Sequence, residues 1–477
     1  MLRIDKVILL LVSLVALYSP IHAAKDTKSL PNIVWILLED WCPDMSVYGT
    51  TGIETPTCDA FATQGIRYNS AFTTAPVCSS ARSAMITGCH QNYIGAHQHR
   101  TADHNQKALP CDILPFPQLL SDHGYFTCLM GYRKTDCNFT THLGFQGKDW
   151  GERPNNTPFF AQITIGSTHR LWNRDPIRPI EENRVELPPY YADTPFNRRD
   201  WANGLEQMQI ADREIDSILK RLKNEGLAES TMVIISGDNG RCHIRGKQFL
   251  YDPGLHVPLL IRWPGHIKPG QINNELVSSL DITATILAAA DISTETPLHG
   301  QDLLSTNYRP HSYIFAARDK MDDTHDAMRM VRSKRYKLIH NLMPERPWLQ
   351  LNKYKERMYP MLAEMSILHQ QGKLTPEQSI FFSKTKPKYE LFDLQNDPHE
   401  LDNLADHAGY ASVKETLREA LDQWRQFIND QGVSEQFRAG GWPATYPTRS
   451  LEEWQQTKEK WKAWVFREPS SKQAYPF

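Results

Sequence analysis

The chain has 477 residues, enough for one large domain with an appendage or two to three average ones, and it can bury a large core. Its 53 basic and 55 acidic residues leave a formal charge of −2, which excludes the basic excess of a nucleic-acid binder and the acidic block of a solvated tail. Any anion the protein binds must therefore be met by local charge.

Arg3 and Lys6 precede an apolar run over residues 7–18 and the small residues Ala23 and Ala24. This pattern predicts a secretory signal over residues 1–24, too short to span a bilayer, and a mature chain that works in a periplasm or is secreted. No later segment is long and apolar enough to cross a membrane. The eight cysteines, Cys42, Cys58, Cys78, Cys89, Cys111, Cys128, Cys137 and Cys242, lack the paired spacing of a zinc site. Export would permit disulfides, and their pairing stays open.

Residues 32–38 form a continuous apolar run, the pattern of a strand buried on both faces of a parallel sheet, and it ends abruptly in Glu39-Asp40. Open α/β sheets place ligands at the carboxyl ends of their strands, and adjacent carboxylates there suit a hard divalent cation. Alone, the pair reads equally as a solvated strand end. Residues 57–63 predict a short helix stopped by Gly65, and residues 66–72 lead into a turn. The stretch Cys78-Ser79-Ser80-Ala81-Arg82 then opens a helix that Gly88 ends. A helix start gathers unpaired N–H groups and partial positive charge, so a nucleophile at Cys78 would sit where an oxyanion is welcome. Arg82, four residues on, shares its face. An isolated cysteine of this kind is otherwise an ordinary buried thiol.

The segment 89–101 is dense in polar rings, with His97, His99 and Arg100, and could equally be a hydrated loop. A helix over 116–123 and a strand over 125–130 lead to Gly131-Tyr132-Arg133-Lys134-Thr135-Asp136. Another strand, 159–165, runs into His169, and residues 170–197, rich in Pro, Arg and Tyr, predict a loop over the site. Met208, Ala211, Ile215, Ile218 and Leu222 follow helical spacing within 199–224. The strand 232–235 ends in Asp238-Asn239-Gly240, a turn signal when read alone. Asp281 is expected to cap a helix over 282–290, and residues 311–318 to supply the last strand of the main sheet. The segment 328–342 reads as short basic strands, and Val413, Leu417, Leu421, Trp424 and Ile428 as an amphipathic helix closed by Gly432. The tail, with Trp442, Trp454, Trp461 and Trp464, has aromatics enough to pack back on the body.

At Cys78 to Gly88 the sequence resembles the type I sulfatases, whose signature is Cys-x-(Pro or Ala)-x-Arg followed by Thr-Gly; Ser80 departs from it at the third position. The likeness continues in order to the run Tyr389 to Glu400. The texture is closest to the heparan N-sulfatase-like branch and bacterial polysaccharide sulfatases. The resemblance implies an α/β fold: a large alkaline-phosphatase-like, mostly parallel sheet flanked by helices over residues 25–325, with a smaller C-terminal α+β subdomain over 326–477. It implies that a formylglycine-generating or sulfatase-maturating enzyme converts Cys78 to formylglycine. It also implies a calcium ion held by Glu39, Asp40, Cys78, Asp238 and Asn239, with Glu39 standing where an aspartate is usual. Lys134 and Lys247 would grip the sulfate beside Arg82. His169 would contact the ester oxygen and, itself or through a neighbour, protonate the departing sugar oxygen, and His97, His99, Arg100, His243 and Arg245 would face the sugar. Asp136 stands where the family has a histidine. The implied activity is hydrolysis of sulfate esters of a glycan, ulvan or a similar algal polymer first. Three alternatives stay open: a sulfamidase on N-sulfated glucosamine, a phosphatase or phosphonate hydrolase of the same superfamily, and a non-catalytic glycan-binding relative.

Overall fold

The computed structural model describes residues 30–101, 105–441, 448–470 and 475–477. The expected signal at 1–24 and Trp442 lie outside the described residues. Among those described, no helix is long and apolar enough to cross a membrane.

A seven-stranded sheet forms the centre, and β1 (Asn32–Leu38) is one of its interior strands. Period-two alternation sends Val34, Ile36 and Leu38 into one core and Ile33, Trp35 and Leu37 into the other, so both faces are apolar and covered. After helix α1 (Pro56–Thr63) come β2 (Ile66–Tyr68), β3 (Ala71–Phe72) and helix α2 (Cys78–Thr87), which Gly88 ends in the left-handed region at φ 69°. Helix α3 (Phe116–Asp122) precedes β4 (Phe126–Gly131), and β5 (Phe159–Ile165) precedes the long helix α4 (Pro195–Asn224). Then follow β6 (Thr231–Gly237), the one-turn helix α5 (Asp252–Leu255), β7 (Leu259–Arg262), β8 (Gln271–Asn273), β9 (Val277–Ser278) and helix α6 (Ser279–Ala289).

The main sheet runs β4-β5-β1-β6-β7-β2-β8. Neighbours among β4, β5, β1 and β6 are parallel. Their carboxyl ends therefore share one edge, with adjacent strands ~4.8 Å apart. That register brings together the residues following residues 38, 131, 165 and 237.

A second, antiparallel sheet comprises β10 (Ile314–Arg318), β11 (Met328–Arg332), β12 (Tyr336–Asn341) and β13 (Tyr389–Asp393). The strand expected to close the main sheet at 311–318 is thus corrected. Ile314 to Arg318 pair with Arg332 to Met328, and β8 already flanks β2 at the other edge. A division at residue 325 would fall inside this hairpin. The amphipathic helix Ala411–Phe427 covers the second sheet with Leu417, Leu421 and Trp424 buried. Helix Leu451–Val465 buries Trp454 and Trp461 and contacts α4 and helix Pro360–Gln370.

Two further expectations change. Ser278 caps α6, and Asp281 is the third helical residue, closing a capping box and holding His311 at 2.9 Å. The segment 170–197 lies along α4: Glu206 accepts the N–H groups of Asp175 (2.7 Å) and Ile180 (2.8 Å), and Arg213 pairs with Asp175 at 2.8 Å. All eight cysteines are free thiols.

Candidate active site

At the shared edge, β1 delivers Glu39 and Asp40, β4 leads to Lys134, β5 to His169 and β6 to Asp238 and Asn239. The N-terminus of α2 faces them with Cys78. Backbone bonds lock the edge: Asp238 N–H donates to the Leu38 carbonyl at 3.1 Å, and Glu39 N–H to that of Ile165 at 3.3 Å. Asp40 takes a left-handed φ of 52°, which aspartate tolerates, and its N–H reaches Asp238 Oδ1 at 2.9 Å.

Each of Glu39, Asp40, Cys78 and Asp238 offers one ligand atom, and these atoms lie within 4.8 Å of one another. Asn239 donates its amide N–H to Asp40 Oδ1 at 2.9 Å, while its buried Oδ1 has no hydrogen-bond partner. An unpartnered amide oxygen beside three carboxylates is the donor set a hard cation such as Ca2+ takes, so these residues fit the ion.

Three cations answer the carboxylates. Arg82 donates Nε to Asp238 Oδ2 (2.8 Å) and Nη1 to the Lys134 carbonyl (3.0 Å), and pairs with Glu39 through Nη2. Lys134 also pairs with Glu39. Lys247 donates to both Asp40 oxygens at 2.8 Å and stands 3.1 Å from Cys78 Sγ. His169 Nε2 lies 3.4 Å from Asp40 Oδ2, and its Nδ1 meets the Arg170 carbonyl.

Burial opposes ionisation of every carboxylate here, and the cations decide the outcome. Lys247, with His169 and Lys134, outweighs burial at Asp40 and holds it well below the usual carboxylate range. Arg82 and Lys134 lower Glu39 against its burial. Asp238 shares Arg82 with Glu39; burial and then the Glu39 charge push it up to about 6. A divalent cation in this cluster would hold Asp238 ionised. Burial, then the charge of Asp40, raises the Cys78 thiol well above its ordinary value, so as a plain cysteine it is a poor thiolate source.

The sequence-predicted residues thus separate into three groups. Glu39, Asp40, Cys78, Arg82, Lys134, His169, Asp238, Asn239 and Lys247 converge. The loop of His97, His99 and Arg100 lies over the first turn of α2: Ser80 Oγ donates to the His97 carbonyl (3.1 Å), and Arg100 N–H donates to Ser79 Oγ (3.3 Å). Asp136 stands between Lys134 (3.1 Å) and Arg100 (3.6 Å).

His243 and Arg245 do not face the opening, which corrects the expectation drawn for them. Each is 1% exposed. The His243 ring sits 4.9 Å from both Trp172 and Trp201, and burial drops its pKa to about 3. Arg245 stacks 4.0 Å over Tyr251 and donates to the His399 carbonyl at 3.1 Å. Arg241, His243 and Arg245 turn into the packing behind the site while Lys247 enters it, and the linear spacing does not show which is which.

Three contacts escaped sequence reading. Cys242 Sγ meets Asp40 Oδ2 at 2.7 Å and the Tyr354 hydroxyl at 3.3 Å. Asp322 stands 3.1 Å from His99 Nδ1. Tyr354 and Asp322 come from segments with no local motif.

The family model described as Sulfatase matches residues 31–147 and 146–292, and that described as N-sulphoglucosamine sulphohydrolase, C-terminal, matches 240–358. The chain is 29% identical over 452 residues to an ulvan-active sulfatase of Formosa agariphila, covering 84% of this chain and 75% of that protein. It is 25% identical over 463 residues to the N-sulphoglucosamine sulphohydrolase of Homo sapiens, covering 84% and 91%. The solved structure of a 2-O GAG sulfatase superposes with a TM-score of 0.64 at 19% identity, covering 87% of this chain and 97% of that one, a likeness of fold. The Sulfatase match spans more than half of the chain, and the alkaline-phosphatase-like sheet carries the signature cysteine at its carboxyl edge: the chain belongs to the sulfatase family, the type I sulfuric ester hydrolases.

Proposed function

We propose that the protein is an exported sulfatase that removes sulfate esters from a sulfated polysaccharide or oligosaccharide, with an ulvan-like algal glycan as first substrate. The observation that carries this reading is the convergence on Cys78 of a hard-cation ligand set and of Lys247, within 3.1 Å of its sulfur. The 29% identity to an ulvan-active sulfatase supports the choice of polymer. Residues 1–24 would direct export, and a maturation enzyme would convert Cys78.

Formylglycine at position 78 would supply the nucleophile, and a calcium ion held by Glu39, Asp40, Asp238 and Asn239 would supply fixed positive charge. The chain's own residues do the rest. Lys134, Lys247 and Arg82 bind the three sulfate oxygens not bonded to carbon and offset charge as it shifts during transfer. The N-terminus of α2 adds N–H groups to the same anion. His169 orients against Asp40 and contacts the sulfate. Arg100, half-exposed on the rim, meets acidic groups of the polymer.

A second reading is favoured by the C-terminal family match and the human relative: hydrolysis of N-sulfated glucosamine. Turnover of sulfated ulvan oligosaccharides, N-sulfoglucosamine, aryl sulfate and aryl phosphate by the matured protein tests both. Release of sulfate from ulvan oligosaccharides above the others supports the first reading. Preference for N-sulfoglucosamine replaces it with the second, and preference for aryl phosphate overturns both.

A further inference from the structure

Asp40 is held at both of its oxygens by one stretch of chain, the segment that follows β6. Oδ1 accepts the Asn239 amide at 2.9 Å and lies 3.3 Å from Cys78 Sγ. Oδ2 accepts the Cys242 thiol at 2.7 Å, with His169 Nε2 3.4 Å away, and Lys247 donates to both oxygens at 2.8 Å. Cys242 is itself met from a distant part of the fold: the Tyr354 hydroxyl stands 3.3 Å from its sulfur. A thiol has a single hydrogen, and here Asp40 takes it, so the hydroxyl is the donor to the sulfur. The bonds run from Tyr354 to Cys242 to Asp40.

Tyr354 is fixed by its own helix, Lys353–Met358. Asn352 caps that helix, its side chain accepting the Lys355 N–H at 2.8 Å, and Lys355 Nζ donates to the Gln350 carbonyl at 2.6 Å. The half-buried Tyr354 ring has its centroid 5.2 Å from Lys247 Nζ and 6.4 Å from the His169 ring. A cation within about 6 Å of a ring face is attracted to it. The hydroxyl therefore steadies the thiol and the ring steadies the ammonium, and both of those groups end on Asp40. Cys242 is not among the four residues whose ligand atoms converge within 4.8 Å. Its thiol acts on the carboxylate, not as a ligand.

We propose that Cys242 and Tyr354 are positioning residues that hold Asp40 ready for the divalent cation, with Tyr354 also holding Lys247 against the same carboxylate. This inference rests on the calcium ligand set and the sulfatase reading above. A carboxylate free to turn about its last bond must be ordered when it takes a cation, whereas one already held at both oxygens has little freedom left to lose. Tyr354 lies between β12 and β13, the neighbouring strands of the second sheet, so the C-terminal part of the chain orders a cluster that the main sheet builds.

Calcium titration calorimetry on chelator-stripped, matured wild type, C242A, C242S, Y354F and Y354L tests the assignment, with melting temperatures and sulfate release taken beside it. Removing a partner that orients a metal ligand costs about 10- to 100-fold in metal affinity. The calcium Kd should therefore rise by that factor in C242A and return close to the wild-type value in C242S, whose hydroxyl keeps a donor. Y354F should weaken calcium by a smaller factor and leave KM as it is. Y354L should also raise KM, because it alone removes the ring beside Lys247. A Kd unchanged in C242A, or as weak in C242S as in C242A, overturns the proposal for Cys242; a KM in Y354L equal to that of Y354F overturns it for Tyr354 and Lys247. If C242A fails to fold, the Kd of Y354F decides alone. A wild type that binds no calcium overturns the proposal whatever its activity. One that binds calcium and releases no sulfate removes the sulfatase reading instead, and the calcium constants still decide this one.

Discussion

Two of the regions in which this molecule buries dense charge make a useful pair, because only one of them has the form of a reaction centre. Between the second sheet and α5, Lys337, fully buried, pairs with Asp252 and Glu400, while Arg332 forks onto Asp252 at 2.6 and 2.7 Å. Glu400 Oε2 also accepts the Asp252 N–H at 2.8 Å. Every carboxylate oxygen in that seam has its partner, and the group ties the second sheet to α5. At the carboxyl edge of the main sheet the charges are as deep, yet their ligand atoms converge within 4.8 Å and Asn239 Oδ1 is unanswered. Burial of charge does not separate structure from function here. Convergence on a common point, with an acceptor to spare, does.

Substitutions in the two regions should separate the consequences. The largest effect on turnover is expected from Cys78→Ala: a loss of about 10⁴-fold or more, typical of removing a nucleophile, with the melting temperature held. Asp40→Asn comes next. Turnover should fall by about 10²- to 10³-fold, and the rise in melting temperature expected of the wild type on adding calcium should be absent. That rise reports binding to the folded state and reaches about 2.7 kcal/mol at a hundredfold excess over Kd. A calcium shift that persists in D40N would break the assignment of the ligand set. Lys337→Met should do the reverse, costing about 3–5 kcal/mol of stability by leaving the buried Glu400 carboxylate without its cation, while kcat per folded molecule stays unchanged. Urea unfolding against a sulfate-release assay distinguishes the two patterns.

The fourth expectation concerns pH. Burial pushes the His90 and His243 pKa values down to about 3. The unfolded chain binds protons at these rings below about pH 6.5, and the folded chain refuses them until near pH 3. Stability therefore falls as the pH drops through that window, by up to about 1.4 kcal/mol per pH unit for each ring. His90→Gln should flatten the slope by about one proton's worth, read from urea midpoints at pH 7 and 5. The smallest effect belongs to Arg100→Ala. Its side chain is 51% exposed and 3.6 Å from Asp136, so stability should change by less than about 1 kcal/mol, and any change in turnover should appear in KM.

The sheet was legible because it is written locally, while the cluster at its edge was picked out through the resemblance to the sulfatase motifs. An apolar strand followed at once by a polar residue is a signal in itself, and parallel strands with a shared edge bring Glu39, His169 and Asp238 together without further instruction. The helix at Cys78 carried its own start and its own glycine stop. The rest depends on packing between distant segments. Tyr354 reaches Cys242 from helix Lys353–Met358, and Asp322 reaches His99 across more than two hundred residues. Neither sits in a run whose composition or period would single it out. His243 and Arg245 misled for the complementary reason: they share a charged stretch with Lys247, and the direction of each side chain is set by Trp172, Trp201 and Tyr251, which the local sequence does not place. The strand at 314–318 was visible as a strand, while its sheet was decided by its hairpin partner β11.

The most direct test is the mass of the proteolytic peptide that contains Cys78, from protein produced beside a maturation enzyme with a control sulfatase converted in the same cells. The account predicts an aldehyde at position 78. An unmodified thiol there, in a preparation that nonetheless releases sulfate at full rate, would contradict it.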